Sequence, residues 1–96
     1  MAKRLHSVFT DDMDHCFFTG GIPVERHHIF GGSNRKYSEQ YGYVVPLKPE
    51  LHPNGVHAGA DAKLIDIRLK QMAQERFEAN TGTRDEFRRI FGKSYL

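Results

Sequence analysis

The second half of the chain carries apolar residues at helical spacing. Over residues 61–80 they follow one another at steps of four, three, one and four, on one helical face: Ile65, Leu69, Met72, Ala73 and Phe77. Residues 83–86, Thr-Arg-Asp-Glu, have the form of a capping box. We therefore predict a long helix that ends before Gly82 and a short second helix that ends at Gly92. The short helix carries three apolar residues: Phe87, Ile90 and Phe91.

The first half of the chain is rich in glycine, proline and short apolar runs. Residues 16–19 and 22–30 are two such runs, each followed by a pair of glycines, and they predict two short strands that pair as a hairpin. Residues 43–47 are the strongest strand candidate by β-branched content. Because proline has no N–H to donate, Pro46 places this strand at an edge or ends it early.

Three stretches lack a regular pattern. The polar residues 33–42 predict a loop, and residues 48–59 predict a turn-rich connection. Residues 1–14 are polar and acidic, and we interpret them as a lead-in that packs on the domain through a few apolar side chains: Leu5, Val8 and Phe9. The predicted fold class is α+β, with one domain over residues 15–96.

Composition narrows the functional classes. The chain is 39% hydrophobic and 27% charged, which is too apolar for a disordered protein. Fourteen Lys and Arg stand against 12 Asp and Glu, and the excess is shared equally by the two halves, so no basic arm is present. With Cys16 as the single cysteine, a metal ion or a partner would have to replace disulfides in stabilising so small a domain. Neither a secretion signal nor a membrane span is recognisable, and we expect a cytoplasmic protein.

The most informative feature is a cluster of histidines. Four of the six lie within residues 27–57: His27, His28, His52 and His57. Imidazole binds divalent metals and transfers protons near neutral pH, so the cluster is a candidate metal or acid–base site. Adjacent strand residues point to opposite faces, but the two neighbouring histidines can reach one site from a strand end, which Gly31 provides.

This pattern resembles a known family. Residues 25–29, Glu-Arg-His-His-Ile, followed by the strand at 43–47 and the later histidines before a helix, resemble the HNH endonucleases, or ββα-metal nucleases, in a form found in phage and prophage genes. The resemblance covers about residues 15–80. It implies a ββα-metal hairpin and helix, to which this chain adds a C-terminal helix. It also implies a metal-dependent endonuclease that hydrolyses DNA, encoded by a phage or its bacterial host.

The resemblance also implies roles for individual residues. The implied ligands of one divalent ion, Mg, Mn, Ni or Zn, are three histidines: His27, His52 and His57. His28 is the implied general base that activates water, and Glu25 the implied orienter of the site. Tyr43 stands where the family has an asparagine, and its main-chain carbonyl would hold the base. Asn34 or Asn54 could supply the side-chain amide that Tyr43 lacks. The chain also departs from the colicin-type members of the family in spacing, because four residues separate His52 from His57 where those members have three.

Substrate contacts and partners follow from the charges. We predict four phosphate contacts, for which the alternative is an ordinary solvated face: Arg35, Lys36, Arg88 and Arg89. DNA is the expected partner, with a homodimer or a phage recombination or packaging protein as further candidates. Two rivals remain, a non-catalytic metal-stabilised module that binds DNA or assists phage recombination and a protein-interaction domain with incidental histidines. The second histidine of the adjacent pair favours the enzyme, because a structural site of three ligands has no use for it.

Overall fold

The computed structural model describes residues 6–52 and 61–96. In these ranges a two-stranded antiparallel sheet is combined with three α-helices, which confirms the α+β class. The strands are β1 (Glu25–His28) and β2 (Val44–Leu47), and the helices are α1 (Arg35–Tyr41), α2 (Ala62–Asn80) and α3 (Arg84–Phe91). Short 3₁₀ turns stand before α1 and after β2, at Gly32–Asn34 and Pro49–Leu51. None of the helices in the described ranges is both long and apolar enough to cross a membrane.

The sheet pairs β1 with β2, in a register that sets His27 opposite Val45 and His28 opposite Val44. The predicted hairpin between residues 16–19 and β1 is therefore wrong. Residues 17–19 form a turn that the Gly20 N–H closes on the Cys16 carbonyl at 2.8 Å. A short run that ends in a glycine with φ of 73° turns more readily than it extends, and the more distant β2 supplies the longer ladder.

Helix α1 occupies the stretch that was predicted as a loop, and that prediction is also wrong. Tyr37 and Tyr41, four residues apart, pack from one face of α1 onto the core, and Ser38 between them is fully buried. The Ser38 hydroxyl accepts a hydrogen bond from the Phe30 N–H at 2.9 Å and donates one to the Phe30 carbonyl at 2.8 Å. Ser38 therefore fastens α1 to the residues that leave β1.

Helices α2 and α3 confirm the periodicity of the sequence. Leu69, Ala73 and Phe77 of α2 are buried, while Ile65 and Met72 flank them at the edge of the core. At the start of α3 the Thr83 hydroxyl accepts the Glu86 N–H at 3.1 Å, and the Glu86 carboxylate accepts the Thr83 N–H at 2.9 Å, which completes the predicted capping box. The helix ends at Gly92 with φ of 99°.

The core is largely aromatic and lies between the sheet and the helices. Phe30, which follows β1, packs at 4.3 Å between ring centroids on Phe91 of α3. Further buried rings come from every layer: Tyr43, Phe77 and Phe87. Offset and edge-on ring pairs stabilise a fold by more than the burial of their surface alone. This extra contribution is useful here because a small domain buries a smaller share of its surface than a large one.

The N-terminal segment packs against the end of α1. The Val8 N–H donates to the Gly42 carbonyl at 2.9 Å, and the Phe9 ring lies 6.1 Å from the Tyr43 ring. Gly42 has φ of 76°, and a Cβ there would lie 2.9 Å from a Val8 methyl and 2.9 Å from the His6 imidazole. Only glycine meets both constraints, a left-handed backbone and close passage of another segment.

Candidate functional site

Histidines from two elements line one cleft at the end of β1. The cleft has a volume of about 260 Å³ and is lined by seven residues: Arg26, His27, His28, Gly31, Gly32, Arg35 and His52. His28 is the last residue of β1, so it and His27 reach the same cleft although they start on opposite faces of the strand. This is the arrangement predicted for a strand end.

His27 and His52 are in direct contact. Their ring centroids lie 4.8 Å apart with the planes at 75°. His52 follows the 3₁₀ turn Pro49–Leu51, and its N–H is shared between the Lys48 and Pro49 carbonyls at 3.2 and 3.3 Å, which holds the ring against β1. Two of the three predicted ligands are therefore together, while the third, His57, lies outside the described residues, as does Asn54.

Among the residues that the structure describes, three buried imidazole nitrogens of this cleft have no hydrogen-bond partner. They are His27 Nε2, His28 Nε2 and His52 Nδ1, and they are the only such side-chain atoms found in residues 6–52 and 61–96. An unpaired buried polar atom costs on the order of 1–3 kcal/mol, and folded proteins rarely keep several in one place. Ring nitrogens held in this way suit a metal ion, a reacting group or an acceptor that fixes the tautomer.

The electrostatics of His27 favour its neutral form. Burial lowers its pKa from 6.5 to about 4, with further lowering by His52, His28 and Lys70 and an opposing contribution from Asp66. Metal ligation requires a neutral imidazole with a free lone pair. His27 can therefore offer its Nε2 to a cation at neutral pH without first losing a proton.

Two of the three histidines of the cleft, His28 and His52, each face a carboxylate. Glu25 Oε1 lies 4.0 Å from His52 Nδ1, and Glu39 Oε1 lies 3.6 Å from His28 Nε2. Glu25, predicted as an orienter, thus stands beside a predicted ligand. The sequence pattern does not single out Glu39, because the polar residues 33–42 predict a loop. The signal was present in the tyrosines four residues apart and in Gly42, which indicate a helix.

Tyr43 is placed in the core and does not line the cleft. Its side chain is 1% exposed, and burial raises the pKa of its phenol to about 12. Its carbonyl accepts the Ile29 N–H at 3.0 Å, and within the described residues no hydrogen bond joins this carbonyl to the His28 ring. Asn34, one suggested substitute for the family's asparagine, donates instead to the Phe91 carbonyl at 3.3 Å and ties the start of α1 to α3.

The four predicted phosphate contacts fall in two places. Arg35 lines the histidine cleft, and Arg26, which the sequence did not single out, joins it there. Lys36 is next to Arg35 on α1 but stacks its ammonium 5.1 Å from the Tyr37 ring. Arg88 and Arg89 line a separate open cavity on α3, where Arg88 lies 3.9 Å from the Asp85 carboxylate. The two regions are not part of one cleft.

No model of a protein family, no curated protein and no solved structure matches this chain. Within residues 6–52 and 61–96, no three His, Cys, Asp or Glu side chains are grouped so that they could hold a metal ion. The described ligands therefore amount to a pair, His27 and His52. The site has to be interpreted from the residues that line it.

Proposed function

We propose that this protein is a metal-dependent endonuclease that hydrolyses DNA phosphodiester bonds, with β1, β2 and α2 as a ββα-metal unit. The observation that carries the proposal is the set of three buried imidazole nitrogens in one cleft that have no hydrogen-bond partner in the described part of the chain. Packing for stability alone would pair or remove such atoms. Two arginines beside them, Arg26 and Arg35, supply guanidinium groups for binding a phosphate and offset the nearby carboxylates of Glu25 and Glu39.

Imidazole nitrogens are suited to a divalent ion, and the described residues of the cleft supply two candidate ligands. His27 and His52 would hold it, and His57 is the third ligand that the resemblance implies. Imidazole suits Zn, Ni, Co or Cu, whereas Mg or Mn would depend on oxygens from the substrate. When bound, such an ion polarises the phosphoryl group and stabilises the charge that grows on the leaving oxygen.

The other residues of the cleft carry out the remaining steps. His28 removes a proton from water, which then attacks phosphorus in line with the leaving oxygen. Arg26 and Arg35 bind the non-bridging phosphate oxygens, for which the planar guanidinium is well suited. Gly31 and Gly32 leave that side of the cleft without side chains, so a phosphate can come close to the backbone.

The proposal is tested by cleavage of supercoiled plasmid in Mg, Mn, Ni or Zn by the wild type and His28→Ala. Loss of a general base lowers the rate on the order of 10²–10⁴-fold, while calorimetric metal binding should persist. His15→Ala is the matched control, because His15 is an exposed histidine paired with Asp12 at 2.9 Å, and it should cut like the wild type. Equal cleavage by His28→Ala and the wild type would overturn the assignment of the base.

A second candidate function is a metal-stabilised module without catalysis. It is favoured by the depth of His27, whose side chain is 2% exposed. In that case added Zn would raise the melting temperature and EDTA would lower it, with no cleavage in any metal. The nuclease, by contrast, would lose cleavage in EDTA and regain it when a divalent ion is restored.

A further inference from the structure

We infer that Glu39 is the positioning residue for His28, holding the Nε2–H tautomer so that Nδ1 carries the free lone pair. The catalytic consequence rests on the proposed function, but the contact itself does not. His28 Nε2 is buried, has no hydrogen-bond partner and lies 3.6 Å from Glu39 Oε1. Within the described residues this carboxylate is the only anionic group at ion-pair distance from that ring.

The tautomer of His28 has to be fixed by some acceptor. A neutral imidazole has an N–H on one ring nitrogen and a lone pair on the other. The acceptor that binds the N–H therefore decides which nitrogen keeps the lone pair. The Tyr43 carbonyl, the acceptor that the resemblance offers, receives the Ile29 N–H at 3.0 Å. The Glu39 carboxylate can take over this function, since an ionised carboxylate only accepts hydrogen bonds.

The present separation is slightly longer than a hydrogen bond. The Glu39 side chain is 46% exposed, whereas the His28 side chain is only 10% exposed. Of the two side chains, that of Glu39 has the more room to move toward its partner, and contacts of this kind often tighten only when substrate binds.

The backbone around Glu39 is firmly held. Its neighbour Ser38 bonds both the N–H and the carbonyl of Phe30, two residues beyond His28. Tyr37 and Tyr41 pack α1 onto the core. The two elements that carry Glu39 and His28 are thus connected by buried hydrogen bonds next to the contact, which is what a positioning residue requires.

The direct test is long-range ¹H–¹⁵N NMR of the full, metal-free chain with labelled histidine, at about pH 8 where imidazole is neutral. His28 signals are assigned by their loss in His28→Ala. The wild type should show the Nε2–H tautomer, Glu39→Ala a mixture of both tautomers, and Glu39→Gln, which keeps a carbonyl acceptor, should restore the wild-type pattern. Gln40→Ala, an exposed change on the same helix, is the control and should leave the spectrum unchanged.

A wild-type Nδ1–H tautomer, or a Glu39→Ala spectrum identical to the wild type, would overturn the inference. In plasmid cleavage, Glu39→Ala should lower kcat on the order of 10–100-fold with KM unchanged, as expected for an orienting partner. A tautomer change in a protein that never cleaves would refute the proposed nuclease and leave the Glu39 contact intact. Cleavage that depends on His28 without any tautomer change would refute the role of Glu39 alone.

Discussion

The packed core and the histidine cleft both adjoin β1, yet they treat buried polar atoms in opposite ways. In the core, Ser38 and Gln74 are fully buried, and both are bonded: Ser38 to Phe30, and Gln74 to Glu78, Ser94 and the Tyr95 N–H. In the cleft, three imidazole nitrogens have no hydrogen-bond partner among the described residues, although two of them face carboxylates at 3.6 and 4.0 Å. The fold thus pairs its polar groups where it needs only stability, and the exceptions gather where something can bind.

The sharpest test of this contrast replaces a buried polar residue with leucine, once in the core and once in the cleft, and compares the two changes in stability. In the core, Gln74→Leu removes the acceptor 2.7 Å from the Tyr95 N–H and the donor to Ser94 and Glu78. We expect the free energy of unfolding to fall by about 1–3 kcal/mol, because the partners remain without a bond. Urea unfolding followed by circular dichroism measures it. Gln40→Leu on the surface is the control, and a Gln74→Leu protein as stable as that control would contradict the prediction.

In the cleft, His27→Leu should act in the opposite direction. The metal-free protein should gain about 1 kcal/mol of stability, because an unpaired buried nitrogen is replaced by an apolar group of similar volume. The same variant should lose stabilisation by added Zn, which for a ligand at 100 times its Kd amounts to about 2.7 kcal/mol in the wild type. Urea unfolding in EDTA and in Zn measures both effects. A loss of stability in EDTA as large as that of Gln74→Leu would mean that the cleft is ordinary core.

The capping box of α3 gives the smallest effect and serves as a reference remote from both regions. Thr83→Ala should cost about 1 kcal/mol, the usual value of an N-cap. The hydrogen bond that the Glu86 carboxylate accepts from the Thr83 N–H lowers the pKa of Glu86 below its ordinary 4.5. Because the folded pKa is the lower one, Glu86 stabilises the fold above pH 4.5 and this contribution is lost as the pH falls below it.

Urea unfolding of the wild type and Glu86→Gln between about pH 6 and pH 3 checks that sign. The wild type should lose more stability than the variant over the acid part of this range. An identical pH dependence of the two proteins would show that the carboxylate of Glu86 does not contribute in this way.

The helices that could be predicted are those whose information is local. The apolar spacing of α2 and the reciprocal caps of α3 are contained in a few consecutive residues, so both helices begin and end close to the predicted positions. Helix α1 was missed because most of its residues are polar and only two tyrosines mark its buried face. The pairing of β1 with β2 depends on contacts between distant segments, which short patterns do not record.

Part of the histidine cleft could also be predicted from the sequence. The pattern of two adjacent histidines at a strand end and a later histidine after a turn predicted a common site, and His27, His28 and His52 do line one cleft. The contact of Glu39 with His28 could not be predicted without α1. The burial of Tyr43 likewise depends on rings from distant segments, among them Tyr41 of α1 and Phe91 of α3.

The contacts at Gly42 make residues 6–9 of the N-terminal segment part of the packed domain. The glycine ends α1 and at the same time lets Val8 pass over it, so the cover of the Tyr43 ring and the end of the helix that carries Glu39 depend on one residue. Removal of Val8 and Phe9 would expose part of the Tyr43 ring and would take away the hydrogen bond that the Gly42 carbonyl accepts at the end of α1. Engineering for crystallisation, or for fusion to a targeting module, should therefore retain these residues.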